Sequence, residues 1–159
     1  MKLHVNYILL ACVLVLATLC FLSVYSPVRF DEQRQQRELA VKERLVKIRQ
    51  AEELYRRQHG IYTGDFAELI KSGLLADSLT VIPYSDNERF ELAASMETTR
   101  SGRQIPLMEC GAQYKQYLNG LDENTVGNLM DEASQTGAYP GLRIGDITHS
   151  NNNAGNWER

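Results

Sequence analysis

Tyr7-Ile8-Leu9-Leu10-Ala11-Cys12-Val13-Leu14-Val15-Leu16-Ala17-Thr18-Leu19-Cys20-Phe21-Leu22-Ser23-Val24-Tyr25 carries no charge, glycine or proline, and Ser26-Pro27 closes it. At about 1.5 Å per helical residue this stretch reaches roughly 28 Å, close to the hydrocarbon thickness of a bilayer. It is expected to form an N-terminal transmembrane helix, with residues 1–27 as the anchor and residues 28–159 as a soluble domain. Tyr7 and Tyr25 stand at its ends, where amphipathic rings settle at the headgroup level. Two other readings stay open. A cleaved signal peptide finds only Val24-Tyr25-Ser26 as a cleavage site, with Pro27 directly after it. Leu9-Leu10-Ala11-Cys12 has the form of a lipid-attachment box with Cys12 as its acceptor, although a long apolar run follows the cysteine. Lys2 and His4 precede the stretch. Arg29, Arg34 and Arg37 follow it, mixed with Asp31, Glu32 and Glu38, so the charge count leaves the side of the membrane open.

Beyond the anchor the chain has length for one compact domain with a core of its own. The net charge is −3 and basic residues are interleaved with acids, a pattern that speaks against nucleic acid as a partner. Cys12 and Cys20 lie in the anchor and Cys110 stands alone in the rest, so no disulfide framework is expected. Cys110 reads as a buried, inert thiol, with an intermolecular disulfide as the sharper alternative. His4, His59 and His149 are far apart and share no ligand spacing with Cys110. No glycine-rich phosphate loop and no nucleophile–base signature is visible, so no catalytic residue, cofactor or metal is assigned and no enzyme is expected. Asp146, Asn151, Asn153 and Asn156 are oxygen donors of the kind calcium accepts. Against calcium stands a loop closed by asparagine hydrogen bonds and locked by Trp157 packing on the domain.

The remaining chain reads as α+β. Asp31–His59 is rich in good helix formers, with Val41, Leu45, Ile48 and Tyr55 on one face and Ala51 on its flank. Its charges, including Glu38–Lys42 and Glu43–Lys47 at helical spacing, read as a solvated face. Gly60 ends this helix. Asp65 is placed to cap a second helix with Glu68 three positions on, and Gly73 stops it. Thr80 to Tyr84 is a short extended piece interrupted by Pro83. Arg89 to Glu97 alternates, which predicts a strand with Phe90, Leu92, Ala94 and Met96 on one face. Thr99-Arg100-Ser101-Gly102 is a turn, and Ile105 to Ala112 is the returning strand, with Pro106 near its start or on an edge. Asp122 caps a further helix with Val126, Leu129, Met130 and Ala133 inward, and Leu142 to Gly145 is a last short strand before a loop-like tail.

The run Ile48-Arg49-Gln50-Ala51-Glu52-Glu53-Leu54-Tyr55-Arg56-Arg57-Gln58-His59-Gly60-Ile61-Tyr62, with Asp65 to Leu75 after it, resembles the helix exit of type IV pilin-like proteins. The pseudopilins of type II secretion are closest in this respect. The resemblance covers roughly residues 7–75, and Asn156-Trp157 resembles the Asn-Trp pair near which pseudopilins often end. It implies an N-terminal transmembrane helix continuing into a long amphipathic helix, packed with short helices on a small antiparallel sheet. The glycine–phenylalanine processing site and the glutamate five residues into the apolar helix are both missing, which points to an unprocessed, permanent component instead of a filament subunit. The tail Tyr139-Pro140-Gly141-Leu142 with Asn151-Asn152-Asn153-Ala154-Gly155-Asn156-Trp157 also resembles an uncharacterised family of small single-pass bacterial envelope proteins.

These readings converge on a non-enzymatic, membrane-anchored structural subunit of a bacterial envelope assembly. The resemblance implies an inner-membrane location with the soluble domain in the periplasm. The expected partners are the membrane and other envelope proteins or further copies of the chain. Val41, Leu45, Ile48, Tyr55 and Trp157 are the candidate interaction residues. The competing reading is a membrane-tethered, periplasmic ligand-binding module with a pocket lined by Tyr114, Tyr117 and Tyr139.

Overall fold

The computed structural model describes residues 2–158, with the side chains of residues 2–6 and 21–27 outside the description, so the headgroup ring expected at Tyr25 cannot be placed. The chain divides into two compact units, one ending at Gln35 and one beginning at Gln36.

Helix α1 (Lys2–His59) contributes to both units. The break expected at Ser26-Pro27 does not occur, because α1 runs through it. A proline inside a helix removes one backbone hydrogen bond, a local loss that the cooperative turns on either side can absorb. Among the described residues no helix is long and apolar enough to cross a membrane. That finding overturns the expected N-terminal transmembrane helix and the single-pass signal anchor. The described apolar side chains of α1 run from Tyr7 to Cys20. They cover about 21 Å at about 1.5 Å per residue, short of the roughly 30 Å of a hydrocarbon core.

The unit beginning at Gln36 is α+β. Val41, Leu45 and Ile48 of α1 are fully buried, and Ala51 and Glu52 continue the same stripe. Gly60 (φ 79°) ends α1, its N–H bonded to Arg56 O at 2.8 Å. Helix α2 (Phe66–Lys71) starts at Asp65, whose carboxylate accepts from Ala67 N at 2.8 Å. Phe66, Leu69 and Leu75 are buried there.

Strands β1 (Glu91–Thr98), β2 (Gln104–Gln113) and β3 (Gly141–Gly145) form an antiparallel sheet in the order β1-β2-β3. Met108, Cys110 and Ala112 of β2 and Ile144 of β3 are fully buried. Gly145 is required by position: a Cβ there would lie 2.1 Å from Met108 O, and its φ is 70°. Between β2 and β3 stand α3 (Tyr114–Tyr117) and α4 (Glu123–Thr136), the latter capped by Asp122 through Thr125 N at 2.8 Å. Val126 and Ala133 of α4 are buried, whereas Leu129 and Met130 are only half-buried.

Two expectations are refined here. In β1 Phe90 is buried just before the strand and Leu92 is half-buried, but Ala94 is exposed and Met96 is 45 % exposed. The register from Glu91↔Gly111 to Thr98↔Gln104 is unbroken, so no bulge flips the strand. The cover changes instead, because Ser95 Oγ donates to Ile147 O at 2.7 Å and brings the tail over the opposite face. The charged side of α1 is also more than a solvated face. Arg37 donates to Tyr117 O (3.1 Å) and Asn119 O (2.7 Å), Arg44 to Ser78 O (3.2 Å) and Val81 O, and Arg49 to Asn153 O (3.1 Å). Each guanidinium ties down a different loop.

Candidate functional site

The candidate interaction residues separate in space and burial. Val41, Leu45 and Ile48 are wholly inside the domain, so they are core and present nothing to a partner, a correction that follows from their lack of exposure. Tyr55 is half-buried and stacks on His59 with ring centroids 4.1 Å apart. Trp157 is half-buried, and its ring occupies the space where a Gly155 side chain would stand, 2.7 Å from that Cβ position. The Lys42 ammonium lies 5.8 Å from the centre of the same ring.

The three tyrosines expected to line a pocket differ in their surroundings. Tyr117 is fully buried, and Tyr114 packs on it with ring centroids 5.9 Å apart. Tyr139 lies over Gly111, its hydroxyl 2.7 Å from where a Cβ would be, and burial pushes its phenol well above the usual range.

Of the four residues weighed for calcium, Asp146 and Asn156 engage their side-chain oxygens within the domain, Asn156 Oδ1 accepting from Arg143 N at 3.2 Å, while Asn151 and Asn153 bond through their amide nitrogens. Asp146 Oδ1 accepts from Thr148 Oγ1, Thr148 N and His149 N. The Thr148 hydroxyl is the main cause that holds this carboxyl below its usual range. Asn151 donates to Ala154 O at 3.4 Å and Asn156 to Gly141 O at 2.9 Å. Asn153, nearly buried, donates to Tyr62 Oη at 2.7 Å. These bonds make a closed loop. Among the described residues no group of three or more histidine, cysteine or acidic side chains is placed to hold a metal.

Two features remain. In the unit ending at Gln35, every described side chain from Tyr7 to Cys20 is exposed, the large ones between Leu10 at 57 % and Tyr7 at 65 %. In the unit beginning at Gln36, a cleft of about 250 Å³ opens where the end of α1, the start of β2 and the tail approach one another. Glu53, Arg56 and Tyr62 form one wall, Ile105 to Leu107 the floor, and Asp146 with Ser150 to Asn153 the other wall. The Arg56 guanidinium lies 5.1 Å from the centre of the Tyr62 ring. Sequence reading singled out Asp146, Asn151 and Asn153 of this cleft but missed Glu53, Arg56 and Pro106. The available signal was an acid and a base at i,i+3 on a helix, beside a proline in a strand.

No family model matches the chain, and neither a curated protein nor a solved structure does. The functional reading therefore stands on geometry and on the helix-exit resemblance.

Proposed function

We propose that this protein is a non-enzymatic structural subunit of a bacterial envelope assembly, pseudopilin-like in plan, that packs against other subunits through residues 7–20 of α1. The observation that carries the reading is the exposure of that run on every side. A helix that is apolar all round belongs in a core, and leaving it in water is costly at roughly 25 cal/mol per Å². Helix packing with other subunits supplies the missing cover. Ala11, Ala17 and Thr18 interrupt the larger residues and admit close helix approach. The Thr18 hydroxyl bonds back to Leu14 O at 2.8 Å, so it adds no unsatisfied polar group to such a contact. The second unit is the displayed part, and on the pilin-like plan it lies in the periplasm.

The test is a photo-cross-linking amino acid placed at Leu10 or Leu14 in the native cell, followed by mass spectrometry. Adducts joining this chain to a second protein or a second copy are expected. Recovery of the unmodified monomer from both positions overturns the reading.

A further inference from the structure

We propose that the cleft between α1, β2 and the tail is a binding site for a neutral saccharide of one or two rings. It lies within the unit beginning at Gln36, so it stands or falls independently of the assembly through residues 7–20.

The groups facing the opening differ in whether they are already engaged. Asp146 Oδ1 is engaged by Thr148 and His149 and the Asn153 amide nitrogen by Tyr62 Oη, and Arg49 fixes the loop further by donating to Asn153 O and to the Glu158 carboxylate at 3.0 Å. Asn152 and Asn153 hold two successive left-handed backbone conformations, φ 57° and 56°. Asparagine tolerates that region better than most residues, and the bonds of Asn153 keep the wall in one shape. By contrast, the structure records no hydrogen bond or ion pair for the carboxylate of Glu53 or the hydroxyl of Ser150. Glu53 and Arg56, one helical turn apart, form no ion pair with each other. The Tyr62 ring holds the Arg56 guanidinium by its face, which leaves its donor edge available.

The floor adds a backbone acceptor. Gly145 N donates to Ala154 O at 3.1 Å and Arg143 O accepts from Asn156 N at 2.9 Å, so both peptides face the tail and not β2. Alternation then assigns to the β3 side the backbone groups of the even-numbered β2 residues. β3 ends at Gly145 opposite Glu109, and no described strand continues along Pro106 and Gln104. Pro106 therefore offers the opening a carbonyl and no N–H.

That missing donor argues against a peptide strand in the opening. An extended peptide adding beside β2 needs alternating donors and acceptors along the edge, and Pro106 removes one donor. A saccharide hydroxyl both donates and accepts. It can donate to Glu53 and to Pro106 O, and accept from Arg56 and an asparagine amide. Pro106 supplies apolar ring atoms at the opening for contact with the C–H face of a sugar ring. The volume is below the roughly 300–1,000 Å³ of drug-sized sites, which matches a ligand of one or two rings.

Saturation-transfer NMR on the full chain, with glucose and N-acetylglucosamine as separate probes, tests this. Transfer to ring protons of at least one sugar is expected, with millimolar affinity. Glu53→Gln and Arg56→Gln, each at an accessible side chain, are expected to weaken it roughly tenfold while leaving Tm unchanged. No transfer to either sugar overturns the proposal, as does transfer that both variants leave intact. Binding of inorganic phosphate or of an extended alanine–threonine peptide in place of both sugars also overturns it.

Discussion

Glu52 is a carboxyl with no solvent exposure, placed in the apolar stripe of α1 four residues after Ile48. Its Oε2 accepts from Thr63 N at 3.0 Å, while Oε1 has no hydrogen-bond partner. Burial pushes its pKa from 4.5 up to about 7, against the opposing pull of the Thr63 bond. The Cys110 thiol is also pushed up, by burial first and then by Glu52 and its neighbours Glu109 and Glu91. A carboxyl whose pKa is higher folded than unfolded keeps its proton longer in the folded state. Its stabilising contribution is whole below pH 4.5 and is lost as pH rises through about 7. Glu52→Gln is therefore expected to match the parent protein near pH 4.5 and to exceed it by about 3 kcal/mol at pH 8. Urea denaturation at the two pH values checks this, and an equal loss at both rules it out. The apolar face read from the sequence, Val41, Leu45, Ile48 and Tyr55 with Ala51 on its flank, did not include position 52. Residue type argued for solvent, and only the packing shows that the side chain is buried.

At the scale of elements, local chemistry was legible and coverage was not. The Gly60 stop, the Asp65 and Asp122 caps and the Thr99–Gly102 turn depend on neighbours within a few residues, and each stands where the sequence puts it. In the turn, Thr99 N bonds to Arg103 O at 2.9 Å. Met96 and Ala94 share a face with Leu92 yet are exposed, because alternation reports which side chains share a face, not which face receives cover. The arginines were misread for a related reason, since a charge on a helix looks solvated until the loop it holds is known. Arg49 is the clearest case, joining α1 to Asn153 O and to Glu158, whose carboxyl it holds below the usual range. Arg49→Gln is expected to release the tail. Amide exchange at Gly155 and Asn156 should accelerate about tenfold or more, with β2 amides unaffected. Unchanged exchange in the tail overturns the clamp.

At the scale of the whole molecule, the unit beginning at Gln36 holds its own core, from Val41 and Leu45 through Met108 and Ile144. A chain of residues 36–159 is expected to unfold in one cooperative transition within about 4 °C of the full chain's, a difference of no more than roughly 1 kcal/mol. It is expected to be monomeric by light scattering, and the full chain is expected to associate. A shortened chain with no cooperative transition refutes the independence of this unit. The sequence by itself determined the α+β class, the end of α1 at Gly60, the Asp65 and Asp122 caps and the hairpin, because these follow from backbone preference and periodicity over short spans. It also led to a transmembrane helix that the described residues do not support. Only the tertiary structure decided that Val41, Leu45 and Ile48 are core, that Glu52 is buried, and that Glu53, Arg56, Pro106 and the asparagines meet at one cleft. Those residues come from segments up to about a hundred positions apart. Their meeting depends on long-range packing, which leaves no periodic mark on the chain.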